Sequence, residues 1–62
     1  MQENIYYIRY LVLYWEYEWK DENDEGYYSA KDEDEAIAKC VIPLLKKNYA
    51  IKIREIKKIE VQ

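Results

Sequence analysis

An α+β fold, a three-stranded antiparallel sheet in the order 2-1-3 with one kinked helix on one face, is what this sequence predicts. Three observations carry the prediction. The opening stretch is dense in β-branched and aromatic residues and alternates along much of its length. A later stretch carries a helix start signal, a helical apolar stripe and a stop. A last stretch rich in Ile and Lys returns to alternation. The element order is β-β-α-β, and residues 1–62 form one domain.

The first strand begins at Ile5. From Leu11 onward, Leu11, Leu13, Trp15, Tyr17 and Trp19 point one way, and Tyr10, Val12, Tyr14, Glu16, Glu18 and Lys20 point the other. Before Leu11 both faces are apolar except for Arg9, so a bend or bulge is expected near Arg9. The polar run Lys20–Gly26 ends in the only glycine and reads as the hairpin loop. Tyr27–Lys31 is the return strand, with Tyr28 and Ala30 inward.

The helix is read over Asp32–Asn48. Asp32 is the N-cap, and Glu35, three residues on, completes a capping-box pattern. Glu33, Asp34 and Glu35 suit the positive end of the helix dipole, and Lys46 and Lys47 the negative end. Ala36, Ile37, Cys40, Val41, Leu44 and Leu45 make one apolar stripe. Pro43 deletes a backbone hydrogen bond and is expected to kink the helix or, failing that, to break it. Asn48 is the left-handed stop. In Ala50–Gln62, Ile51 and Ile53 alternate, Ile56 and Ile59 fall out of phase, and a bulge would restore the register. The third strand lies beside the first, which is central because it is the most apolar.

Composition narrows the chemistry. There is no histidine, threonine or phenylalanine, and Ser29 is the only serine. Too few catalytic roles can be filled, so the chain is expected not to be an enzyme and to need no cofactor. The single cysteine, Cys40, reads as a small core residue, and its count favours a reducing, cytoplasmic setting. The apolar run up to Trp15 is too short to span a bilayer and contains Arg9, so no membrane role is expected. The net charge is −3, which argues against a simple basic nucleic-acid binder.

That small net charge hides a strong segregation. Between Glu16 and Glu35 ten acids face only Lys20 and Lys31, a balance of −8. From Ala36 onward seven Lys or Arg face Glu55 and Glu60, a balance of +5. An acidic patch of this kind speeds and orients the approach of a basic partner.

One helix covers one face of a sheet, yet both faces of the first strand carry large apolar groups. Parity does not decide which face is core. The uncovered face is expected to bind a protein partner and to make the chain a homodimer when alone. The partner-binding set is placed at Tyr6, Tyr10 and Tyr14 with Glu16, Glu18, Asp21, Glu22, Asp24 and Glu25. Nucleic-acid binding is the alternative, with those tyrosines as stacking platforms and Lys52, Arg54, Lys57 and Lys58 for phosphate. No metal site is expected. The candidate weighed was calcium at Asp21, Asn23, Glu25 and Asp32, whose spacing matches parts of an EF-hand loop. The segment before them alternates as a strand rather than entering as a helix, and the last ligand position is Asp instead of the usual Glu.

The stretch YYSAKDEDEAIAKCVIPLL followed by IKIREIKKIEV resembles the strand–helix–strand half of very small proteins from bacteriophages and mobile elements. Some of these, including anti-CRISPR proteins, are similar in size and acidity. The resemblance implies a non-catalytic inhibitor of a host defence complex.

Overall fold

The computed structural model describes residues 3–59. The end of the expected third strand, beyond Ile59, lies outside the described residues. The elements are β1 (Asn4–Trp15), β2 (Trp19–Ala30), α1 (Glu33–Leu45) and β3 (Ala50–Ile59). They form an antiparallel sheet in the order β2-β1-β3, with β1 in the centre.

Helix α1 lies on the even-numbered face of β1. Tyr6, Ile8, Tyr10 and Val12 are buried there with Ala30, Ala36 and Cys40. Ile37, Val41 and Leu44 pack on this core from the helix, and Ile51, Ile53 and Ile56 from β3. The helical stripe is therefore as expected except at its end, where Leu45 is exposed. Asp32 caps the helix by accepting from the Glu35 N–H at 2.9 Å. The Glu35 carboxylate reaches back one residue further than a capping box requires and accepts from the Lys31 N–H at 3.3 Å. The helix continues through Pro43 rather than breaking there. It ends at Leu45 with Lys46 as C-cap, so the two lysines follow the last turn instead of lying in it, and Asn48 supplies the left-handed residue at φ 63°.

The third strand contains the expected irregularity. Arg9 pairs with Glu55 but Tyr10 pairs with Ile53, so Arg54 is the extra residue of a bulge. That step returns Ile56 to the face of Ile51 and Ile53 and turns Ile59 to the other face, opposite Ile5.

The hairpin differs from the expectation. The turn is Glu16–Glu18, and the run from Lys20 to Gly26 belongs to β2, paired with β1 from Tyr14 to Ile8. Three physical reasons account for it. Tyr17 adopts the left-handed conformation, φ 65°, that a three-residue loop needs. Trp15 and Trp19 face each other across the mouth of the turn, ring centroids 5.5 Å apart and nearly perpendicular. An edge strand also leaves its side chains in water, so a run of acids costs little there, while the backbone of apolar β1 gains a partner. Gly26 is not a turn glycine. The ring of Tyr28 lies back over it, and a Cβ at Gly26 would sit 2.9 Å from the Tyr28 hydroxyl oxygen.

Candidate functional site: an acidic edge and an aromatic groove

Because β2 is extended, its acids alternate between two faces. Asp21 and Glu25 pair with Leu13 and Arg9 on the odd-numbered, open face, while Glu22 and Asp24 pair with Val12 and Tyr10 on the helix side. Glu16 and Glu18 sit in the turn and not on one strand face. The acids of the expected set therefore lie in the turn and along the outer strand, divided between the two faces of the sheet.

Burial changes the status of the tyrosines. Tyr6 and Tyr10 are each 6% exposed beneath the helix, so they offer no surface to a partner and no platform for a stacked base. The exposed aromatics are instead Trp15, Trp19, Tyr27 and, at the tip, Tyr17. Tyr14 is half-buried and tilted against Tyr49, with centroids 5.2 Å apart.

This pair floors a groove at the turn end of the helix side. Val12, Tyr14, Leu44 and Tyr49 line it, and Glu16, Glu22 and Asp24 stand around it. Lys20 lies alongside, 3.7 Å from Glu16. Apolar aromatic walls with carboxylates at the rim suit the stem and head of a Lys or Arg side chain, which need a greasy bed and a negative end. Tyr49 and Leu44 are absent from the expected site. A signal for Tyr49 was present, since Tyr49, Ile51 and Ile53 continue one alternation onto the same face.

The calcium candidates do not converge. Asp21, Asn23 and Glu25 are strung along one face of an extended strand, and Asp32 caps the helix at the far end of β2. No group of three or more metal-ligating side chains occurs among the described residues. An extended strand holds alternate residues ~7 Å apart and cannot wrap one ion.

Deeper in, Asp24, Tyr10, Tyr28 and Cys40 form a polar thread between sheet and helix. The Tyr10 hydroxyl donates to Asp24 Oδ2 at 3.4 Å, and Tyr28 packs against the buried cluster that holds Tyr10 and Cys40. Burial is the main cause pushing up the proton affinities of Tyr10, Tyr28 and Cys40. A thiol so placed stays protonated at neutral pH and is no nucleophile. These groups hold their protons more tightly folded than unfolded. Their stabilisation is complete below the ordinary values, 9.0 for the thiol and 10.0 for the phenols, and is lost as pH rises past them. The expected result is cooperative unfolding above pH about 10, with Tyr10 and Tyr28 ionising only as the fold is lost. Phenolate absorbance followed beside circular dichroism checks this. All eight tyrosines titrating together in an intact fold would contradict it.

Comparison with protein-family models, with curated proteins and with solved structures finds no match. No helix among the described residues is long and apolar enough to cross a membrane.

Proposed function

We propose that this chain is a non-catalytic protein-binding module whose acidic edge and aromatic groove take a basic segment of another protein. The observation that carries the reading is the placement of Glu16, Glu22 and Asp24 around the Tyr14–Tyr49 floor, on a strand whose outer edge has no neighbour in the sheet. An extended basic segment gains main-chain hydrogen bonds along that edge and places a Lys or Arg in the groove. The small size, the acidity and the resemblance to phage proteins suit an inhibitor that occupies a basic surface, such as one a defence complex uses for nucleic acid.

A fluorescent Lys/Arg-rich peptide, titrated by anisotropy, tests the reading. Glu16→Gln with Glu22→Gln should weaken binding by roughly 2–30-fold, since exposed charges contribute about 0.2–1 kcal/mol each. Raising the salt should weaken wild-type binding and narrow that difference. Absent binding, or binding indifferent to both substitutions, would refute the groove as the site.

A further inference from the structure

The face of the sheet opposite the helix carries a central apolar row: Ile5, Tyr7, Leu11, Leu13 and Trp15 on β1. Arg9 interrupts it, held 3.6 Å from Glu55 on β3 and paired in register with Glu25 on β2. We infer that this face packs against the same face of a second copy, with the two-fold axis running along β1. The site lies on the opposite side from the groove and does not depend on it.

Area and charge both support a second copy as the occupant. Twelve residues at ~3.4 Å and three strands at ~4.8 Å give a face of roughly 550 Å². Two such faces bury roughly 1,100 Å², above the ~1,000 Å² that a specific interface needs. The row is apolar and aromatic, and Arg9 enters the interface already paired with Glu55.

The charges choose between the two aligned ways in which identical faces can meet. On this face β2 presents Asp21 and Glu25, while β3 presents Lys52 and Lys57 beside Glu55. An axis across the strands lays β2 on β2, acid against acid. An axis along β1 lays each β2 over the partner's β3, twice: net negative Asp21 and Glu25 over net positive Lys52, Lys57 and Glu55, with Glu25 facing Glu55 at the level of Arg9. Asp21 and Lys52 lie one step apart along the sheet in that arrangement, at the levels of Leu13 and Leu11. Neither makes an ion pair among the described residues of its own chain. The packing also leaves Glu22 and Asp24 on the outside, so one assembly presents two grooves.

Sedimentation equilibrium over a concentration series tests the arrangement. Wild type should approach twice the 7.7 kDa chain mass. Asp21→Lys and Lys52→Glu, both at exposed positions, should each keep the monomer folded and weaken the dimer about tenfold, because two attractive pairs become repulsive. An equimolar mixture of the two variants should recover wild-type affinity, since each acidic strand then meets a basic one. A wild-type mass fixed at 7.7 kDa would overturn the inference. So would a dimer that neither variant weakens, or a mixture no tighter than its components. A monomer that still binds the basic peptide would sink the dimer alone and leave the groove standing. A dimer blind to the peptide would do the reverse.

Discussion

Ile8→Ala will cost about 2–5 kcal/mol and leave little or no cooperative unfolding transition. Among the described residues Ile8 is the only fully buried large side chain, 0% exposed at the centre of β1, with Ile56 beside it on β3. Its neighbour on β2 is Gly26, and the ring of Tyr28 occupies the place of the missing side chain. Truncation there opens a cavity among well-packed neighbours that cannot easily collapse into it, and the cost should lie in the upper half of the range. A chain of this size has roughly 3–9 kcal/mol to lose. Urea or thermal melts followed by far-ultraviolet circular dichroism give the answer. A shift below ~1 kcal/mol, or less than ~8 °C in Tm, would mean that the helix does not seat on this face.

Gly26→Ala is expected to destabilise by about 1–3 kcal/mol, although the general effect of that substitution is the opposite. Alanine restricts the unfolded chain and gains ~0.4–1 kcal/mol wherever the native backbone accepts it. Gly26 has no positive φ, so the backbone accepts alanine here. The space does not. The new methyl would meet the Tyr28 hydroxyl at 2.9 Å and its ring at 3.1 Å. That ring is not free to swing aside, because it is packed against the buried cluster that holds Tyr10 and Cys40. Overpacking therefore outweighs the entropy gain. A double-mutant cycle with Tyr28→Val isolates the clash: once the ring is gone, Gly26→Ala should turn neutral or stabilising. A penalty that persists without the ring would place the cause elsewhere.

The architecture was legible because the strongest signals were local and mutually consistent. A central strand apolar on both faces, a capped helix with acids in its first turn, and an Ile/Lys strand that needed a bulge leave few topologies. The turn was misplaced because composition outvoted symmetry. Lys20–Gly26 contains loop-forming residue types, whereas the clue at Trp15–Trp19, two tryptophans flanking Glu-Tyr-Glu, appears only when cross-strand pairing is considered. The single glycine pointed to a turn, yet an aromatic ring fills the place of its side chain. The choice of face was not legible, since Tyr6, Tyr10 and Val12 are as apolar as Tyr7, Leu11 and Leu13. What decides is the whole set of inward partners, Ala30, Ala36 and Cys40, whose small size leaves room for tyrosine rings on the even side. The groove needed three separate elements, the turn end of β1 and β2, the end of the helix and Tyr49, and no single window of sequence contains it.

The bulge at Arg54 also bears on whether this sheet can grow without limit. The two outer strands carry opposite charge, so β2 of one molecule is drawn to β3 of the next, and such head-to-tail addition never closes on itself. Each added molecule would expose a fresh edge of the same kind, which is the route to fibres. The bulge increases the local twist of β3 and bends its outer edge away from the flat line that a strand such as β2 would offer. A newcomer would have to match that bend to pair along all ten residues, which disfavours a long seam. Deleting Arg54 would straighten that edge, and the same opposite charges that favour a closed pair of molecules would then favour an open-ended ribbon.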